Sequence, residues 1–111
     1  MGLEHRLAVY GSLAPGRSNY GQLADLRGDW SPGTVRGHLV AEGWGASAGF
    51  PGLRLDPEGP DIAVQVFTSP DLPAHWARLD AFEGGDYRRV AVTVIGPDGG
   101  AIDAFIYAVG S

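Results

Sequence analysis

The chain has 111 residues, 44% hydrophobic and 19% charged, which suits one globular domain over 1–111 and excludes a disordered chain. Eight basic residues against thirteen acidic ones, a formal net charge of −5, argue against a nucleic-acid surface. With no cysteine there is no disulfide framework, thiol nucleophile or zinc–thiolate site, and no apolar run approaches membrane-spanning length. The opening Met1-Gly2-Leu3-Glu4-His5-Arg6 lacks the apolar stretch of a signal peptide, so a cytoplasmic protein is expected.

Arg6 to Tyr10 reads as a short strand, followed at once by a tight loop over Gly11-Ser12-Leu13-Ala14-Pro15-Gly16. Backbone N–H groups of such a loop can point into a pocket and hold an anionic or polarised oxygen; an ordinary Gly/Pro turn is the competing reading. It is not a phosphate loop, because the Lys-Ser/Thr ending is missing. Ser12 lacks the G-x-S-x-G context of a nucleophile elbow. A short helix follows over Ser18–Leu26, then a turn at Asp29-Trp30-Ser31-Pro32-Gly33. Thr34 to Ala41 alternates as a strand, with Val35 and Leu39 on one face and Arg36 and a solvated His38 on the other. His5, His38 and His75 have no metal-ligand spacing, so no metal is expected. The glycine- and aromatic-rich stretch from Gly43 to Leu53 reads as a loop whose Trp44 and Phe50 either wall a pocket or pin the loop to the core. Asp56–Pro60 is a turn, and Ile62 to Phe67 is an alternating strand.

A helix should then start near Ser69 or Asp71, with Pro70 and Pro73 confined to its first turn, and end at Gly84 and Gly85 in left-handed conformations. At about 100° per residue, Leu72, Trp76, Leu79 and Glu83 fall within roughly 60° of one another. Three of the four seek a core, so Glu83 is carried inward with them. Burial disfavours its charged form, and so does the negative end of the helix dipole, which moves its pKa toward the range useful for a general acid or base. The competing reading is a helix-end carboxylate that escapes to solvent or pairs with Arg88 or Arg89. A glycosidase pair of Asp80 with Glu83 is a weaker alternative, since sugar-binding aromatics are not evident.

Tyr87 to Ile95 is a strand with Val90, Val92 and Val94 on one face; Pro97-Asp98-Gly99-Gly100 is a hairpin turn. The partner strand, Ala101 to Val109, puts Phe105 and Tyr107 on one face and Ile102, Ala104 and Ile106 on the other. About six strands with one or two flanking helices predict an α+β fold, a small mixed β-barrel or strongly curved sheet with the Glu83 helix closing one side.

Tyr10-Gly11-Ser12-Leu13-Ala14-Pro15-Gly16 resembles the YGSL/YGTL-x-x-G signature of the γ-glutamylcyclotransferase-like (AIG2-like) family. Phe50-Pro51-Gly52-Leu53 resembles its aromatic-Pro-Gly element, and Leu79-Asp80-Ala81-Phe82-Glu83-Gly84 with Tyr87-Arg88-Arg89 resembles its LD-x-F-E-G…Y-x-R block. Phe105-Ile106-Tyr107 is similar to the aromatic-x-Tyr of the last strand. The four elements occur in the family's order along nearly the whole chain. The resemblance implies a mixed barrel with an internal cavity at one end and release of 5-oxoproline from a γ-glutamyl amide. It implies Glu83 as the catalytic acid/base, and Tyr10, Gly11, Ser12, Leu13, Tyr87 and Tyr107 as substrate-binding residues. It implies no cofactor, a small-molecule γ-glutamyl substrate, and neither nucleic acid nor membrane as a partner; a homodimer is left open. A non-catalytic small-ligand or partner-binding module of the same fold is the alternative.

Overall fold

A computed structural model of the protein describes residues 2–10, 21–40, 52–85 and 87–109. Six strands, β1 (Arg6–Val9), β2 (Asp29–Val40), β3 (Gly52–Leu55), β4 (Asp61–Thr68), β5 (Tyr87–Ile95) and β6 (Ala101–Val109), accompany two helices, α1 (Gly21–Ala24) and α2 (Trp76–Glu83). The strand order is β3-β2-β4-β1-β6-β5. A further pairing of β2 with β5, at Thr34 opposite Ile95, closes five of the strands into a barrel and leaves β3 on its margin. All pairings are antiparallel except β1 with β6, so the sheet is mixed, as predicted.

Strand alternation builds two apolar layers from one sheet. Ala8, Val35, Val64, Val66, Val94, Ala104 and Ile106 meet inside the barrel together with Leu53. The intervening residues Leu7, Val9, Phe67 and Tyr107 point the other way and pack against Leu23 of α1 and against Leu72, Trp76 and Leu79. Both faces of β1 and of the last half of β6 are therefore buried, and α2 lies over the outer wall. β2 approaches β5 closely where it closes the barrel: a Cβ on Gly33 would come within 2.4 Å of Val94 Cγ1.

Four expectations are corrected. Asp29–Gly33 is not a turn but the first half of β2, paired with Thr68 through Val64 of β4. Pro32 is tolerated because, among the described residues, it has a ladder partner, Gln65, on one side only, so its missing N–H breaks no second ladder. Gly52 and Leu53 belong to β3, not to a loop; they pair with Val40 and Leu39, contacts that only the fold creates. Leu39 shares Val35's parity but is 49% exposed, because β2 by then has left the barrel and pairs with β3. Finally, α2 starts at Trp76, after a 3₁₀ turn over Leu72–Ala74, with no side-chain cap. Ser69 and Asp71 do not cap it: Ser69 Oγ accepts the Asp71 N–H at 3.0 Å, and the Asp71 carboxylate accepts the Arg27 N–H at 2.9 Å and its guanidinium at 3.0 and 3.3 Å.

The β5–β6 hairpin forms with the predicted strands and turn at Pro97–Gly100, in a register of Tyr87 opposite Val109 through Ile95 opposite Ala101. The Gly11–Gly16 loop, the first residues of the predicted Ser18–Leu26 helix, and Trp44 and Phe50 lie outside the described residues. No described helix is long and apolar enough to cross a membrane.

Candidate active site

The α2 stripe behaves as its spacing requires. Leu72, Trp76 and Leu79 are buried, and Glu83 comes in with them at 8% exposure, which removes the reading of a carboxylate in solvent. It does not pair with Arg88 or Arg89 either. Arg89 is bound to Asp80 instead, and among the described residues no hydrogen bond or ion pair reaches the Glu83 carboxyl. Burial pushes its pKa up to about 7. The helix stops immediately after it: Gly84 takes φ 79° and ψ −174°, a conformation essentially confined to glycine, and its N–H returns to the Asp80 carbonyl at 3.0 Å. Gly85, expected to be left-handed as well, is not among the positive-φ residues.

Three tyrosines meet at one end of the barrel, two of them, Tyr10 and Tyr107, within electrostatic range of this carboxyl. Tyr10, just past β1, donates its hydroxyl to the Tyr107 carbonyl at 2.6 Å and accepts the Leu53 N–H at 3.0 Å, which ties β1, β3 and β6 together at one end of the barrel. Burial pushes the Tyr10 phenol up; the Leu53 N–H opposes this, and the proximity of Tyr87 and Glu83 adds to it. Tyr107 donates its hydroxyl to Asp80 Oδ1 at 2.7 Å. Its phenol is also pushed up, first by burial, then by Asp80, with Glu83 contributing. Glu83 is within electrostatic range of both Tyr10 and Tyr107, and Tyr87 of Tyr10. Gly11, Ser12 and Leu13, predicted to complete the site, lie outside the described residues.

Asp80 is the neighbour that periodicity undervalued, because it sits at the edge of the apolar stripe. Burial alone would raise its pKa, but the hydrogen bonds from Arg89 and Tyr107 prevail and hold it below the usual carboxylate range. Two carboxyls one helical turn apart thus have opposite characters: Asp80 is ionised and held by Arg89 and Tyr107, whereas burial raises the pKa of Glu83, which has no partner among the described residues. That division makes Glu83 a group able to take up and return a proton at physiological pH. Among the described residues no cluster of His, Asp and Glu could hold a metal ion.

Residues 7–111 match the family profile described as γ-glutamyl cyclotransferase, AIG2-like. No curated protein matches. Among solved structures, YkqA from Bacillus subtilis is similar at 27% identity and a TM-score of 0.71 over 96% of this chain, which corresponds to only 36% of YkqA. An AIG2-like protein from Mus musculus is similar at 22% identity and a TM-score of 0.75, covering 96% of this chain and 77% of that one. PH0828 from Pyrococcus horikoshii has 22% identity and a TM-score of 0.65, with 96% and 78% covered. With the profile spanning all but the first six residues and the same mixed barrel in these structures, the chain belongs to the AIG2-like γ-glutamyl cyclotransferase family.

Proposed function

We propose that the protein is a γ-glutamyl cyclotransferase that releases 5-oxoproline and a free amine or amino acid from a γ-glutamyl amide. The observation that carries this reading is the buried Glu83 carboxyl, without a hydrogen-bond or ion-pair partner among the described residues, its pKa pushed up to about 7, within electrostatic range of Tyr10 and Tyr107. Ionised Glu83 takes a proton from the substrate α-ammonium. The freed α-nitrogen attacks the γ-carbonyl carbon of the same molecule, and a five-membered ring forms. The oxyanion that develops is stabilised by the N–H groups of the loop at Gly11, Ser12 and Leu13, a role carried over from the family signature. The bond from the γ-carbon to the departing nitrogen then breaks as protonated Glu83 returns its proton. Of the three protons on the α-nitrogen, one stays on the lactam and two end on the departing amine, so no cofactor or water is consumed. Nucleophile and electrophile share one molecule, so the protein mainly folds the substrate and moves protons.

A panel of γ-glutamyl amines and amino acids, assayed for 5-oxoproline, tests the proposal. Glu83→Gln keeps the side-chain shape and removes the proton carrier; turnover should fall by about 10²-fold or more while ligand binding is retained. Equal ligand affinity of both forms, with turnover in neither, would instead identify a binding module.

A further inference from the structure

The last turn of α2, which carries Glu83, is followed by Gly84 and Gly85, two residues that constrain a chain least. Its position must be fixed by something besides the backbone that leaves it. Asp80, one turn before Glu83, supplies this. Its carboxylate receives Arg89 Nε at 2.8 Å and Nη2 at 3.3 Å, a two-pronged contact from β5, and the Tyr107 hydroxyl at 2.7 Å from β6. Arg89 and Tyr107 are direct cross-strand partners, so both reach the helix from one rung of the barrel.

An isolated ion pair this exposed would hold little. Here the guanidinium is itself fixed, 4.6 Å from the Trp76 ring centroid and 4.5 Å from that of Phe105, two rings that meet edge to face at 5.3 Å. The Trp76 indole N–H in turn donates to the Glu4 carbonyl at 2.9 Å. A planar guanidinium stacked on aromatic faces while gripping a carboxylate has little freedom left.

We propose that Asp80, Arg89 and Tyr107 form a positioning clamp that bridges the Gly84–Gly85 break and holds the Glu83 carboxyl against the strands bearing the tyrosines; this rests on the reading of Glu83 as the proton carrier. None of the three is a catalytic residue in this assignment. The Tyr107 hydroxyl is spent on Asp80 rather than on substrate. Among the described residues, the titratable groups within electrostatic range of Glu83 are Tyr10 after β1 and Tyr107 on β6, and Asp80 lies one turn before it on its own helix, held by Arg89 of β5.

Tyr107→Phe is the informative variant. It keeps the buried ring, changes no charge, and removes only the contact to Asp80. Its kcat for 5-oxoproline release should fall about tenfold or more, with KM within about threefold of wild type. The Glu83 carboxyl, followed by ¹³C NMR against pH, should titrate below its wild-type midpoint as the loosened turn admits water. Asp80→Ala should also lower kcat, and the double variant should be no worse than Asp80→Ala alone, because Asp80→Ala already removes the acceptor of the Tyr107 hydroxyl. A folded Tyr107→Phe protein with wild-type kcat and an unmoved Glu83 midpoint would overturn the clamp. A rise in KM alone would also overturn it, placing Tyr107 on the substrate. Should the wild-type protein release no 5-oxoproline, the proposed reaction fails, while the NMR midpoints of wild type and Tyr107→Phe still decide the clamp.

Discussion

Glu83 carries a cost that depends on pH. Its folded pKa, about 7, lies above the ordinary value of 4.5, so the folded state binds this proton more tightly than the unfolded chain does. The associated stability is complete below about pH 4.5 and is lost as pH rises through about 7. The loss is on the order of 3 kcal/mol. Asp56, Asp71 and Asp80 are displaced in the opposite direction, held low by their partners, so the stability they contribute is present above the ordinary carboxylate pKa and is lost as pH falls through their lowered values. Urea unfolding of wild type and Glu83→Gln at a series of pH values should therefore diverge between these limits. The glutamine protein should keep at neutral pH the stability that wild type has only near pH 4.5. Parallel curves would mean that the carboxyl is not desolvated. At this scale the sequence was informative: the spacing of Leu72, Trp76, Leu79 and Glu83 is enough to bring a carboxyl indoors. What it did not disclose is the partner of Asp80, since Arg89 and Tyr107 come from strands whose register arises only on folding.

Among the elements, α2 and the β5–β6 hairpin were legible because each is specified locally. The helix has a 3.6-residue stripe and a glycine stop; the hairpin has two alternating runs and a Pro-Asp-Gly-Gly turn. β3 and the first half of β2 were not legible. Trp30, read as part of a turn, stacks on Phe67 of β4 at 4.8 Å between ring centroids, and Pro32 lies in a ladder that spares its missing donor. The four residues of β3 owe their strand conformation to Gly37–Val40, not to any period of their own. The start of α2 moved for a comparable reason, since Arg27 claims the Asp71 carboxylate that would have capped it. The stop is the more consequential end. Gly84→Ala would meet no heavy atom within 4 Å, so its effect is backbone strain alone. A destabilisation of about 1–3 kcal/mol is expected in urea unfolding. No change would show that α2 can end in another conformation.

For the molecule as a whole, the barrel brings together residues from both ends of the sequence: Tyr10 is hydrogen-bonded to Tyr107, and β1 runs parallel to β6. Closure brings Tyr10 after β1, Tyr87 at the start of β5 and Tyr107 on β6 to one end of the barrel, with the Glu83 carboxyl of α2 within electrostatic range of Tyr10 and Tyr107. The family explains this barrel and the order of its motifs; the reaction rests on the state of the carboxyl. The most direct measurement is therefore the pH dependence of kcat/KM for 5-oxoproline release from a γ-glutamyl amide. If ionised Glu83 is the base, activity should rise with pH along an acid limb centred at about 7, and Glu83→Gln should lose it across the whole range. An acid limb at the ordinary carboxylate value, or undiminished turnover by Glu83→Gln, would contradict the assignment.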